Sequence, residues 1–248
     1  MRVTQLTIAP VKGMQVTPVE ALEIGPLGAA GDRRFFVLDP EHNVIETARA
    51  TGLLGILPRW DGTALSLRFP DGTEVREAVA PGEHVVTHNY DGREIGGRLV
   101  TGELAAAVGA HLDRPVRLLL RDETDMGPGD YPVSVMAEAT VGALAPALDG
   151  VVPDARRFRM NVTLTGADAW AEHDWAGREI ALGDAVVRGA EAVPRCVMTT
   201  LDPESGVGYV PVLKALARTR GKRDVKLGLW CDVVAPGAVR VGDAVSVA

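Results

Sequence analysis

Cys196 has the neighbours that chemistry would need. It stands in Pro194-Arg195-Cys196-Val197-Met198-Thr199-Thr200-Leu201-Asp202-Pro203-Glu204-Ser205-Gly206, after a guanidinium and before two hydroxyls and a polar turn. A nearby cation lowers a thiol's pKa, and the thiolate is the form that binds metals or attacks substrates. Most lone cysteines of soluble proteins are small buried hydrophobes, and Cys231, inside Leu229-Trp230-Cys231-Asp232-Val233, reads as structural. Asp202 either orients a proton donor or caps a turn; its Asp-Pro context favours the turn. His84 and His88 are four apart, but no third ligand lies at metal-site spacing, so they read as solvated strand residues.

The scaffold behind these residues is an ordinary globular one. The 248 residues are 46% hydrophobic and 24% charged, enough for one large domain or two closely packed ones. A net charge of −7 and a pI near 5.3 argue against a general nucleic-acid binder. Two cysteines make no disulfide framework, no leading stretch has a signal peptide's form, and no apolar run suits a bilayer. The expectation is a cytoplasmic protein with no membrane or nucleic-acid partner.

Residues 2–9 are rich in β-formers and alternate imperfectly, which predicts a strand. Residues 19–24 read as another, before glycines 25, 28 and 31. Between 53 and 100, Asp61-Gly62, Pro70-Asp71-Gly72 and Tyr90-Asp91-Gly92 separate short strands. Alanine-rich 101–109 reads as helix, 116–120 as strand, charged 121–130 as an exposed loop, and 211–220 as helix followed by a basic loop at 220–223. Many short strands between turns predict a mainly β fold with some α.

The Cys196 segment resembles the S-R-C-x-x-T-T-x-D-P-x-T-G signature of MOSC domains, with Pro194 for the serine and Ser205 for the later threonine. Pro194 has no backbone N–H to offer a cofactor. Pro10-Val11-Lys12-Gly13 is similar to the family's Y-P-V-K-S, Asp32-Arg33-Arg34 to G-D-R-R-W, and Thr47-Ala48-Arg49 to T-A-R. Arg157-Phe158-Arg159-Met160-Asn161 resembles R-F-R-P-N, with Met160 in place of the proline, and 237–247 resembles the closing G-x-I-x-V-G-D-x-V. Residues 131–140 align where the family turns from strand to helix; Ala137 takes the place of a cofactor-binding serine and Ser134 is the nearest hydroxyl.

The resemblance implies a MOSC β-barrel at 121–248, preceded by an intimately packed β-rich domain at 1–120. It implies a molybdenum cofactor with Cys196 as the thiolate ligand, and Lys12, Arg33, Arg49, Ser134, Arg159, Asn161, Arg195 and Thr199 as cofactor-binding residues. Arg159 and Asn161, two apart in an expected strand over 156–164, would share a face. Arg33 could instead pair with Asp32, Lys12 could be a solvated loop residue, and Arg157 reads as a surface charge. The implied activity is reduction of small N-hydroxylated substrates, with electrons from a separate ferredoxin, cytochrome b5-like protein or flavin reductase. Two alternatives are a sulfur carrier using a persulfide on Cys196 and a cofactor carrier without turnover.

Overall fold

The computed structural model describes residues 1–89, 92–123, 131–222 and 224–248. In chain order its elements begin with β1 (Arg2–Ile8), β2 (Thr17–Val19), β3 (Ala21–Gly25), β4 (Gly28–Ala29) and β5 (Phe35–Leu38). Next come β6 (Leu57–Trp60), β7 (Ala64–Arg68), β8 (Glu74–Ala78), β9 (Ala80–His88), β10 (Glu94–Thr101), α1 (Leu104–Leu112) and β11 (Arg117–Arg121). The C-terminal half holds β12 (Val133–Ala137), α2 (Glu138–Gly142), β13 (Val162–Thr165), β14 (Glu179–Leu182) and β15 (Ala185–Pro194). Then follow α3 (Val212–Arg220), β16 (Lys226–Ala235), β17 (Gly237–Arg240) and β18 (Val245–Val247). The fold is mainly β with some α, as the turn density predicts. Residues 90, 91, 124–130 and 223, which fall in an expected turn and two expected loops, lie outside the described residues.

The largest sheet has eight strands in the order β18-β14-β15-β16-β12-β13-β1-β2. The first two strands of the chain thus complete a sheet made otherwise from its second half. In return β17 pairs with β3, from the first half. The alternation in β1 is imperfect because its pairing with β13 shifts register between Val3 and Gln5. This irregularity lets Val3 and Leu6, three apart, enter one core. That core also takes Ile24, Val135, Leu164, Ile180, Val187 and Leu229, each such side chain contributing about 1.5–3 kcal/mol on burial. A second core, with Phe35, Leu53, Leu65 and Leu118, fills the N-terminal half.

One expected strand is shorter than its sequence suggests. Residues Ala155–Phe158 form a 3₁₀ turn capped by the Asp154 carboxylate, which accepts from Arg156 N–H. Arg159 follows in the left-handed region at φ 53°, and the strand starts only at Val162. The two-residue periodicity that would place Arg159 and Asn161 on one face is therefore absent. Their positions have to be read from the hydrogen bonds they make.

Candidate functional site

Strand β15 delivers Cys196 to the surface. The ladder with β16 runs out at Pro194 opposite Lys226, and the last tie is Arg195 N–H to Val225 C=O at 2.9 Å. Cys196 itself is extended (φ −115°, ψ −178°) and caps a 3₁₀ turn over Val197–Thr200. Its thiol is free and exposed, whereas Cys231 is buried in β16 and burial pushes that thiol's pKa up. Thr199 and Thr200 are buried and spend their hydroxyls inside the turn: Thr199 Oγ1 donates to Cys196 C=O at 3.0 Å and Thr200 Oγ1 to Val197 C=O at 2.6 Å. In this structure Thr199 thus shapes the backbone carrying the thiol.

The polar turn after Leu201 is held from several sides. Asp202 Oδ1 accepts from Glu204 N–H, Ser205 N–H and Ser205 Oγ, so Asp202 caps its turn. Burial pulls its pKa up, but these bonds outweigh it and hold the carboxyl below the usual range. Glu204 accepts from Arg156 Nη1 at 2.6 Å through Oε1 and from Gln15 Nε2 at 3.1 Å through its backbone carbonyl. Gly206, at φ +69°, lies so close to Thr51 C=O that an added Cβ would meet the oxygen at 2.1 Å. The Cys196 loop is therefore pressed against the N-terminal half.

Arg159 and Arg195 lie within electrostatic reach of Cys196 and of Arg33. Negative charge at Cys196 favours the protonated forms of Arg159 and Arg195, and Arg33 repels both. Arg195 Nη1 donates to Phe158 C=O at 2.8 Å, while Nε donates to Leu227 C=O at 2.9 Å and Nη2 reaches the same carbonyl and Met160 Sδ. Its guanidinium also lies 5.4 Å from the Phe158 ring centroid. Arg159 Nη1 donates to Met14 C=O at 2.6 Å. Among the described residues neither arginine has a carboxylate within ion-pair distance. Burial pulls their pKa values down, to about 10 for Arg159 and about 9 for Arg195.

Arg33 and Asn161 meet at Asp32. Asp32 Oδ1 accepts from Ala9 N–H at 2.6 Å, and Oδ2 accepts from Arg33 Nη1 and from Asn161 Nδ2, the latter at 3.1 Å. Arg33 Nη2 also donates to Arg159 C=O at 3.2 Å, so the Arg33–Asp32 pair and the reach toward the cation cluster coexist. Asn161 Oδ1 accepts from Ser134 N–H at 3.1 Å and from Ser134 Oγ at 2.9 Å. Arg33 and Arg159 both have positive φ, 46° and 53°. Left-handed arginines cost about 1 kcal/mol each and persist where surrounding structure over-determines them.

Two other expected residues stand apart in their contacts. Lys12 Nζ donates to Asn89 Oδ1 at 2.7 Å and to Glu46 Oε1 at 3.1 Å, so it is no freely solvated lysine. Arg49 is exposed in the 3₁₀ turn Thr47–Arg49, which packs against the Val197–Thr200 turn. His84 Nε2 lies 2.8 Å from Asp122 Oδ2 and His88 Nε2 lies 3.8 Å from Glu94 Oε1; among the described residues no three His, Cys, Asp or Glu side chains form a metal-binding group.

Arg157 corrects the sequence reading. It is not a surface charge: its side chain is 8% exposed, Nη1 donates to Leu201 C=O, and Nε is buried without a partner. In Arg156-Arg157-Phe158-Arg159 three cations occupy four positions, and the 3₁₀ turn buries the second of them. Glu172 is likewise fully buried, its Oε2 accepting from Thr140 Oγ1 at 2.8 Å and its Oε1 unpartnered.

Comparison with known proteins agrees with this architecture. Residues 1–103 match the MOSC N-terminal beta barrel domain and residues 117–246 the MOSC domain. Mitochondrial amidoxime-reducing component 1 of Xenopus laevis is 28% identical over 98% of this chain and 81% of its own length. The Homo sapiens protein of the same name is 26% identical over 98% and 82%. Among solved structures, the YuaD protein from Bacillus subtilis aligns over 99% of this chain and 94% of its own, at 15% identity and a TM-score of 0.49. No described helix is long and apolar enough to cross a membrane. With family matches that together span nearly its whole length, the chain belongs to the MOSC domain family.

Proposed function

We propose that this chain binds the molybdenum cofactor, with Cys196 as thiolate ligand to the metal, and reduces N-hydroxylated compounds. The observation that carries the reading is an exposed thiol beside Arg159 and Arg195, two guanidiniums without a carboxylate partner among the described residues. One protein sulfur cannot complete a metal's coordination, so the other ligands must arrive with the metal. Two dithiolene sulfurs of a pyranopterin are soft ligands of that kind, and its phosphate brings the negative charge that the arginines lack.

In this reading Arg159 and Arg33 face the cofactor's anionic groups, and Asn161 and Ser134 fix the backbone from which they reach. Arg195 and Thr199 hold the thiol's own segment, Arg49 belongs to the turn packed against it, and Lys12 is held by Asn89 and Glu46. The bound cofactor supplies the two-electron abstraction of oxygen from an N–O bond. Two electrons and two protons then balance the conversion of N–OH to N–H and water. In this reading a separate ferredoxin, cytochrome b5-like protein or flavin reductase supplies the electrons. The names of the vertebrate relatives support amidoximes as a first substrate class.

The test is the molybdenum and pterin content of protein from a host that makes the cofactor, native beside Cys196→Ala. Near-stoichiometric metal in the native protein, lost or labile in the variant, together with turnover of an N-hydroxylated amidine, supports the reading. Cofactor without turnover would leave a carrier. Native protein empty of metal under conditions that load an authentic molybdoenzyme overturns it, and persulfide on Cys196 would then favour sulfur transfer.

A further inference from the structure

We propose that Arg157 and Arg195 form a reciprocal clamp that positions Cys196, with Arg157 as a positioning residue for whatever chemistry the thiol performs. The clamp joins two segments, residues 155–160 and 195–202. Arg195, at the entry to the Cys196 turn, donates to the backbone carbonyl of Phe158 at 2.8 Å. Arg157, one residue before Phe158, donates back to the carbonyl of Leu201, the C-cap of that same turn. Each segment thus supplies a guanidinium to the main chain of the other. The thiol lies between the two points of attachment.

The burial of Arg157 makes this more than a surface contact. Its side chain is 8% exposed, with Nη2 3.8 Å from Asp202 Oδ2, and its Nε has no hydrogen-bond partner among the described residues. Keeping a cation buried with an unmet N–H is costly, and an apolar residue would fill the space more cheaply. The bond to Leu201 is the specific return, because it is the guanidinium bond to the turn's C-cap carbonyl. The Val197–Thr200 turn is otherwise held by Thr199 N–H to Cys196 C=O at 3.2 Å, Leu201 N–H to Met198 C=O at 3.3 Å, the Thr199 and Thr200 hydroxyls, and Val210 N–H to Thr200 C=O at 2.9 Å. A 3₁₀ turn of this length has poor bond geometry and needs external support to hold one shape.

The inference goes beyond the proposed reaction and does not require it, so its test uses metal-free protein. Arg157→Met and Arg157→Lys are compared with the native chain by hydrogen exchange and by the rate at which a neutral haloacetamide alkylates Cys196. Cys231, buried in β16, stays unreactive in the folded protein. Removing a charge-assisted bond accelerates exchange of the Thr199 and Leu201 amides roughly tenfold in Arg157→Met, while exchange in the eight-stranded sheet stays native. The alkylation rate changes at least about threefold, and Arg157→Lys, which keeps a donor and a charge, restores part of both. Native exchange at both amides with native alkylation in folded Arg157→Met overturns the proposal. So does acceleration spread evenly through the sheet, which would make Arg157 only a general stabiliser. Should Arg157→Met fail to fold, Arg157→Lys carries the same decision: local loosening supports the clamp, and native behaviour or uniform loosening rejects it.

Discussion

Ser134 and Asn161 hold each other through three hydrogen bonds: Asn161 Oδ1 accepts from Ser134 Oγ at 2.9 Å and from Ser134 N–H at 3.1 Å, and Ser134 Oγ accepts from Asn161 N–H at 3.0 Å. The pair ties β12 to the approach of its parallel neighbour β13, and Asn161 Nδ2 extends the tie to Asp32. Arg33 and Arg159 are aimed from this buried node.

Asn161→Ala removes the acceptor for two Ser134 donors and a donor to Asp32 together. Unsatisfied buried polar groups cost about 1–3 kcal/mol each, partly relieved by rearrangement, so urea unfolding should register a loss of about 2–3 kcal/mol. Asn161→Asp should lose more at neutral pH, because it sets a carboxylate against Asp32. Equal stability of all three proteins would mean that the node carries no weight.

Arg159→Met separates stability from binding. A cation without a carboxylate partner is a poor contributor to folding, so the metal-free variant should be as stable as native protein or up to about 1 kcal/mol more stable. Its cofactor retention should fall roughly tenfold, since a charge-assisted contact to an anion is lost. A variant that unfolds more easily yet keeps its cofactor would assign Arg159 to the scaffold.

Glu172→Gln tests a buried acid. Burial raises the Glu172 pKa, outweighing the Thr140 hydroxyl that favours the ionised form. A raised folded value means that the stability Glu172 contributes is whole below its ordinary value of 4.5 and is lost as pH rises through the folded value. Glutamine keeps an acceptor for Thr140 and has no proton to lose. The variant should therefore gain on native protein as pH climbs above 4.5, by about 1.4 kcal/mol per pH unit until the folded value is passed. Denaturant midpoints from pH 4 upward would reveal the slope, and a flat difference would remove the neutral-acid assignment.

Gly206→Ala should be harsh for so small a change. The backbone is left-handed at φ +69° and the new methyl would meet Thr51 C=O at 2.1 Å, an oxygen that cannot swing away as a side-chain tip could. A loss of about 2 kcal/mol or more follows from strain and forced separation combined. Thermal unfolding measures the loss, and cofactor content should fall with it because the Cys196 loop is displaced. Native stability would imply that the loop does not press on the N-terminal half in solution.

The sequence made Cys196 legible because its motif is local: one cysteine, one preceding cation and a turn-forming Asp-Pro within a few residues. Strand β1 was legible too, and its faulty alternation pointed to a real register shift between Val3 and Gln5. The arginines were harder. Period-two reasoning assumes continuous extended chain, and the 3₁₀ turn with the left-handed Arg159 breaks it, so the burial of Arg157 and Asn161 follows from the turn and not from alternation. Hydroxyls are hard for a different reason: the partners of Ser134 and Thr199 in this structure, Asn161 Oδ1 and Cys196 C=O, follow from the fold and not from the neighbouring residue types.

The exchange of strands between the two halves limits how this protein can be taken apart. A cut anywhere between residues 103 and 117, where the two family matches part, would leave the first fragment with a β1 whose neighbour β13 has gone. It would leave the second with β13 as a bare edge and β17 without β3. Raw edges of that kind invite pairing with other chains. Half of this chain, expressed alone, is therefore expected to aggregate and not to fold as a smaller protein.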